Sequence, residues 1–152
     1  MKLRKAQPSE VETLNQFIRE SKAIWGYSKK FLDEYIKQSG LTKESVENHS
    51  VKILENDGEI HGMFRLVTTK KKKIELDLFF VHPRLIKQGI GRKMWGIVDE
   101  SARANKWKGF VLIVDPNTEK FFQRMGAKTI RQEKDYVLME YALTPTLKQD
   151  IL

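Results

Sequence analysis

Cysteine is absent from the 152-residue sequence, and long apolar runs are absent as well. Without cysteine the chain has no disulfide, no thiolate nucleophile and no thiolate metal ligand. Its apolar stretches fall far short of the roughly 18 residues that a membrane span needs. The first ten residues carry charge but lack the apolar region of a secretory signal, so we expect a cytoplasmic protein. Any catalysis must use groups other than a thiol.

Acidic residues are fewer than basic ones: the sequence has 20 Asp and Glu and 28 Lys and Arg, which gives a net charge of +8. Such a surplus attracts polyanions, namely nucleic acids, anionic membranes or phosphorylated cofactors. The densest cluster, Lys70 to Lys73, is typical of a solvated loop tip, with a nucleic-acid contact as the alternative. Histidine is rare too. His49, His61 and His82 show no metal-ligand spacing, so we predict no metal.

The periodicity predicts one domain over residues 1–143 and a tail over 144–152. Ser9 with Glu12 is the expected capping box before an amphipathic helix, and Ser28 is the expected N-cap of a second helix. Thr42 is the expected cap of another helical turn through about Asn48. A tight hairpin is expected at the Asp-Gly dipeptide that follows VKILEN. The order of elements is β-α-α-β-β-β-α-β-α-β-β, which indicates an α/β (α+β) fold.

A glycine-bearing turn, HPRLIKQGIGRKMWGIV at residues 82–98, lies between an apolar run and a helical pattern. A helix N-terminus presents unpaired N–H groups and the positive end of its dipole, so such a turn can bind phosphate. Gly89 and Gly91 lack a Cβ and let the backbone approach a ligand. Lys87 and Arg92 can meet the charge of that ligand. Taken alone, the Gly-x-Gly pair leaves a plain tight turn as the alternative.

Two stretches resemble segments of the GCN5-related N-acetyltransferases (GNAT). LFFVHPRLIKQGIGRKMW at residues 78–95 is similar to the acetyl-CoA-binding motif, and VDPNTEKFFQRMGAK at 114–128 is similar to a second family segment. The resemblance covers nearly the whole chain, because the order of elements is also that of the family's fold. It implies a mixed, mostly antiparallel sheet of about seven strands with about four flanking helices. It also implies acetyl-CoA as the cosubstrate.

The resemblance assigns the cofactor contacts. In the family, backbone N–H groups near the end of the strand IELDLFFV contact the thioester carbonyl, which implies Val81 with Phe80 beside it. Asn117 matches the family Asn that touches the pantetheine arm, with a helix N-cap as its alternative role. Ile86 stands where the family commonly has Arg or Gln, and Lys87 where Gly is frequent. The implied cofactor-binding residues are Phe80, Val81, Ile86, Lys87, Gln88, Gly89, Ile90, Gly91, Arg92, Asn117, Phe121 and Phe122.

Glu75 and Asp77 lie on one face of the predicted strand, since alternate residues point the same way. Glu75 precedes Ile86 by 11 positions, the spacing at which histone-acetylating members of the family place a glutamate base. The resemblance therefore implies Glu75 as the general base, acting through a water, with Asp77 as the second candidate. A carboxylate on a solvated sheet face is the alternative. Phe122 matches a family tyrosine that protonates the leaving thiolate, and phenylalanine has no proton to give.

The acceptor site of the family lies beside the first two helices, which here correspond to SKAIWGYSKKF at residues 21–31. Trp25 and Tyr27 are the candidate lining residues, and a core aromatic pair is the alternative. The resulting prediction is an N-acetyltransferase that acts on a primary amine by direct transfer, as a monomer or homodimer. An acyl-CoA-binding module without turnover, suggested by Phe122, is the first alternative. A basic nucleic-acid-binding protein ranks last, and no membrane partner is expected.

Overall fold

The computed structural model describes residues 1–144, so the predicted tail lies outside the described residues apart from Thr144. Within these residues the predicted order of elements is confirmed. The turn after Thr42 forms a further helix, so the described residues form five helices where about four were predicted. The elements are β1 Lys2–Lys5, α1 Val11–Ala23, α2 Lys29–Ser39, α3 Lys43–Asn48, β2 Ser50–Asn56, β3 Glu59–Thr68, β4 Ile74–Val81, α4 Ile90–Ala104, β5 Gly109–Val114, α5 Glu119–Arg124, β6 Lys128–Gln132 and β7 Val137–Ala142.

Polar side chains begin two of the first three helices as predicted. Ser28 and Thr42 cap α2 and α3, each accepting a hydrogen bond from the backbone N–H three residues later. The predicted capping box of Ser9 and Glu12 is wrong. Pro8–Glu10 forms a 3-10 turn instead, and the carboxylate of its last residue accepts from the N–H of the residue before the turn at 2.9 Å. The proline starts the turn early, so Ser9 lies inside it.

The seven strands form one sheet in the order β1-β2-β3-β4-β5-β7-β6. β4 and β5 run parallel and the other neighbours run antiparallel, as predicted for a mixed, mostly antiparallel sheet. The β2–β3 hairpin turns through Asp57 and Gly58, whose φ angles of 51° and 79° confirm the predicted tight turn. Lys70 to Lys73 are exposed between β3 and β4, which confirms the predicted loop tip.

Helices cover both faces of the sheet, with an apolar core on each. α4 and α5 pack on one face through residues such as Met94, Trp95 and Phe122. α1, α2 and α3 cover the other face, where Leu14 and Ile18 are fully buried. No helix among the described residues is long and apolar enough to cross a membrane. The candidate site lies at the ends of β4 and β5, between the two helix layers.

Candidate active site

β4 and β5 pair over only the first part of their length and then separate. The paired residues are Glu75 with Val111 and Leu76 with Leu112. Asp77 is the next residue, and the register of β4 with β3 skips it, so β4 bulges there. A bulge bends a strand, and Asp77 therefore marks the apex of a V-shaped opening. Beyond this apex the facing backbone groups of β4 and β5 are not paired with each other.

The backbone at the end of β4 has a defined orientation. The His82 N–H donates to the His61 carbonyl of β3 at 2.9 Å, and successive N–H groups of a strand point to opposite edges. The Val81 N–H therefore points into the opening, as the predicted thioester contact requires. The Phe80 backbone faces β3, so its predicted backbone contact is not available, and its side chain packs near Tyr35 instead.

The turn after β4 needs its two glycines for different reasons. Gly89 directly precedes α4 with φ of +86°, a left-handed conformation that glycine adopts freely. At Gly91 the need is space, because a Cβ there would lie 3.1 Å from Cζ of Phe121. The first N–H groups of a helix have no partner within it. Those of Ile90, Gly91 and Arg92 lie at the positive end of the 15-residue helix α4, an arrangement that favours an anion.

The other residues predicted to contact the cofactor on this turn differ in what they present. Lys87, Gln88 and Arg92 are exposed at the start of α4, and the Gln88 side-chain amide donates to the Arg84 carbonyl at 3.2 Å. Ile86 is half-buried. The Ile90 side chain is buried in the core, and only its backbone is available. The structure thus brings this predicted set together around one helix N-terminus.

Phe121 and Phe122 have separate positions. Phe121 is half-buried and packs against the start of α4 at Gly91. Phe122 is 2% exposed, and its ring contacts Phe79 and Trp95 with centroid distances of 5.2 and 5.8 Å. The position at which the resemblance implies a proton-donating tyrosine is therefore occupied in this chain by a buried phenylalanine packed among aromatic rings. No proton donor is available from this ring.

Asn117 lies on the turn between β5 and α5. Its alternative role as a helix N-cap is wrong, because Asp115 caps the 3-10 turn Pro116–Thr118 and accepts the Asn117 N–H at 2.8 Å. The Asn117 amide donates to Asp115 Oδ1 at 2.8 Å and to the Tyr27 hydroxyl at 3.2 Å. Asn117 therefore links the turn after β5 to the segment between α1 and α2.

Trp25 and Tyr27 do not form a core pair, so that alternative is wrong. Trp25 is 42% exposed at the end of α1. Tyr27 is half-buried, and its ring stacks on Phe31 with centroids 4.3 Å apart. The Tyr27 hydroxyl donates to Asp115 Oδ2 at 2.9 Å. Tyr27 thus lies against the β5 side of the opening, while Trp25 is exposed just beyond the end of α1.

A buried lysine completes this cluster. Lys22, on the last turn of α1, is 2% exposed, and its Nζ lies 2.6 Å from Asp115 Oδ2. The ammonium also lies 4.3 Å from the ring centroid of Tyr35 and 5.1 Å from that of Tyr27. Aromatic ring faces attract cations at such distances. The charge of Lys22 is therefore balanced by one carboxylate and by three aromatic rings, the third being Phe31 with its centroid at 5.9 Å.

The cluster is charged at Asp115 and neutral at Tyr27. Burial acts to raise the pKa of Asp115, but the Lys22 ammonium and the Asn117 N–H outweigh it and hold that pKa below its ordinary value. Burial, followed by the Asp115 carboxylate, raises the pKa of Tyr27 to about 12. Burial and the charge of Asp77 likewise raise the pKa of Tyr35. At neutral pH the site thus combines an ion pair with two protonated phenols.

The two candidate bases differ in their partners. Asp77 accepts two hydrogen bonds from Arg65, at 2.7 and 2.8 Å, and Arg65 is buried. Glu75 has no hydrogen bond or ion pair to any side chain within residues 1–144. Glu75 lies six residues before Val81, about 20 Å along a strand. Several waters, rather than one, would have to connect Glu75 to an amine at the Val81 backbone.

The sequence patterns did not identify Lys22, Asp115 or Arg65 as residues of the candidate site. A signal existed for Lys22, because it follows the buried Ile18 by four residues and so lies on the inward face of α1. The pairing of Arg65 with Asp77 depends on the bulge in β4 and leaves no pattern in the sequence. Among residues 1–144, no three His, Asp or Glu side chains are grouped as a metal site.

The sequence matches a family model described as an acetyltransferase (GNAT) domain over residues 5–138. The chain belongs to the GNAT acetyltransferase family. No curated protein matches this GNAT chain in sequence. Many solved structures share its fold, which supports the topology and core described above.

Three of these structures illustrate the likeness of fold. The PaiA N-acetyltransferase from Thermoplasma acidophilum, in complex with coenzyme A, has a TM-score of 0.78 at 18% identity, covering 93% of this chain and 98% of that one. A GNAT-family acetyltransferase from Staphylococcus aureus Mu50 has a TM-score of 0.74 at 17% identity, covering 94% and 99%. N-acetylglutamate synthase from Neisseria gonorrhoeae, complexed with coenzyme A and N-acetyl-glutamate, has a TM-score of 0.68 at 18% identity, covering 95% and 35%.

Proposed function

We propose that this GNAT protein transfers an acetyl group from acetyl-CoA to a primary amine. The observation that carries the proposal is the start of α4 beside the β4–β5 opening. There Gly89 and the free N–H groups of residues 90–92 form a cradle for the pyrophosphate of coenzyme A. The exposed Lys87 and Arg92 add positive charge to it. The coenzyme A in the structures of the PaiA enzyme and of N-acetylglutamate synthase supports the same reading.

The proposed reaction is a direct transfer in a ternary complex. The amine nitrogen attacks the thioester carbonyl carbon, and the Val81 N–H stabilises the negative charge on the carbonyl oxygen. Before the attack, Glu75 takes one proton from the ammonium form of the substrate through intervening waters, and after the attack the nitrogen loses a second proton. The carbon–sulfur bond then breaks, and the thiolate takes a proton from water or from the amine, since Phe122 has none to give. The sequence has no cysteine to form a covalent intermediate.

A second candidate function is an acyl-CoA-binding module with little or no catalysis. It is favoured by Phe122, whose buried ring offers no acid at the usual position. A cytoplasmic location, one or two chains per molecule, and the lack of a nucleic-acid partner remain parts of the proposal.

The test is the release of free coenzyme A from acetyl-CoA across a panel of amines that includes amino acids, polyamines, aminoglycosides and peptides. At least one amine is expected to give turnover, and Glu75→Gln is expected to slow it by about 10²-fold or more. Coenzyme A binding without release for any amine would favour the binding module. If coenzyme A does not bind to the wild-type protein, both candidate functions are wrong.

A further inference from the structure

We propose that Lys22 and Asp115 are a positioning pair, which fixes the segment between α1 and α2 against the β5 side of the opening. The pair joins two parts of the chain that are 93 residues apart in sequence. It rests on the proposed function, because the amine is expected to enter beside this segment. Lys22 and Asp115 are not assigned contact with the reacting atoms, and they act through Tyr27 and Asn117.

Both members of the pair are withdrawn from solvent. The Lys22 and Asp115 side chains are 3% and 7% exposed, and their charged atoms are 2.6 Å apart. The rings of Tyr27 and Tyr35 cover the ammonium. Because its charge is already matched, Lys22 does not offer a cation to a carboxylate on the acceptor. Its position instead determines where the Asp115 carboxylate lies.

The Asp115 carboxylate in turn holds two residues at the opening. Its Oδ2 accepts from Lys22 and from the Tyr27 hydroxyl, and its Oδ1 accepts from the Asn117 N–H and side-chain amide. The Asn117 amide also reaches the Tyr27 hydroxyl, which closes a ring of hydrogen bonds. The placement of Tyr27 and Asn117 therefore depends on one carboxylate, and this carboxylate depends on Lys22.

A purely structural role and a positioning role of the pair predict different behaviour for two variants. Lys22→Met leaves a buried unpaired carboxylate and should lower the melting temperature by about 10 °C. The double variant Lys22→Met/Asp115→Leu removes both charges and should recover part of that loss, although Tyr27 and Asn117 lose the acceptor that Asp115 provided. A structural role predicts that function recovers along with stability. A positioning role predicts that it does not, because Tyr27 has lost its partner.

The double variant is therefore examined by three measurements. Amide hydrogen exchange over residues 24–31 should be faster than in the wild type. The pKa of Tyr27, taken from phenolate absorbance against a matched Tyr27→Phe protein, should fall from about 12 toward the ordinary value of about 10. With the best amine of the panel, the KM for amine should rise about tenfold while the affinity for coenzyme A changes little.

A control ion pair lies on α1 and α2, the two helices that flank the segment. Arg19 and Asp33 form an ion pair between α1 and α2 that does not include Asp115. Arg19 also donates to the Lys29 carbonyl at 3.5 Å, so the exchange of this control is compared over residues 24–28. Over those residues Arg19→Met/Asp33→Leu should leave exchange unchanged, and the Tyr27 pKa and the KM for amine should also stay the same.

The outcomes separate this proposal from the proposed function. Wild-type exchange over residues 24–31 and a wild-type Tyr27 pKa in the stable double variant would overturn the positioning role, as would an unchanged KM for amine. If the wild type neither binds coenzyme A nor transfers acetyl, the proposed function is wrong. In that case hydrogen exchange and the Tyr27 titration still decide whether the pair positions the segment.

Discussion

Asp77 and Glu75 are two carboxylates of β4, and removing their charge should affect different properties. We expect a loss of stability at Asp77 and a loss of catalytic rate at Glu75. Asp77→Asn removes the partner of the buried Arg65, whose guanidinium donates to it at 2.7 and 2.8 Å. Breaking a buried ion pair costs about 3 to 5 kcal/mol, and we take the lower end because the Asp77 side chain is 20% exposed. Glu75→Gln should change stability by less than about 0.5 kcal/mol, because Glu75 has no such partner within residues 1–144.

Urea unfolding followed by tryptophan fluorescence measures both effects. With a slope of about 2 kcal/mol per molar urea, Asp77→Asn should lower the midpoint by roughly 1.5 M, and Glu75→Gln should leave it in place. The rates are expected to follow the reverse order, with acetyl transfer per folded molecule lost in Glu75→Gln and largely kept in Asp77→Asn. Equal midpoints for the two variants would refute the ion-pair argument. A catalytic loss confined to Asp77→Asn would refute the choice of base.

Two further predictions concern α4 and the buried carboxylate. Gly96, exposed in the middle of α4 with open space where a Cβ would lie, should accept alanine with a gain of about 0.4 to 1 kcal/mol in unfolding free energy. Gly89→Ala should cost about 1 to 2 kcal/mol because of its positive φ, and thermal unfolding compares the two. The lowered pKa of Asp115 stabilises the fold fully above the unfolded value of about 3.9, and this contribution is lost as pH falls through the folded pKa. Unfolding across this range should therefore show a steeper acid loss in the wild type than in Asp115→Asn, and equal slopes would contradict the assignment.

Much of the fold follows from local sequence patterns. The Asp57-Gly58 turn, the caps at Ser28 and Thr42 and the order of elements each depend on residues close together in sequence. The capping box at Ser9 failed for a local reason, because Pro8 starts a 3-10 turn one residue earlier. Such errors shift a boundary without changing the topology.

The acceptor side of the site was harder to predict, because its contacts are distant in sequence. The Lys22–Asp115 pair forms only once α1 lies across the end of β5. The Arg65–Asp77 pair requires the register of β3 and β4 together with the bulge between them. Trp25 looks like a core residue by composition, yet it is exposed because the chain turns away at the end of α1. In contrast, the turn that leads through Gly89 into α4 depends on residues close together in sequence, so its place in the fold could be predicted.

The central claim is that the start of α4 holds the pyrophosphate of coenzyme A, and calorimetric titration with coenzyme A tests it most directly. The variant is Gly89→Glu, which has space for its side chain and brings a negative charge to the anion site. Gly89→Ala carries the same positive-φ strain without the charge and is titrated beside it, with binding expected close to that of the wild type. The matched control is Gly96→Glu, the same change in the exposed middle of the same helix. The wild type and Gly96→Glu should bind alike, and Gly89→Glu should bind more than about 100-fold more weakly. Equal affinity in all four proteins, or no binding by the wild type, would contradict the account.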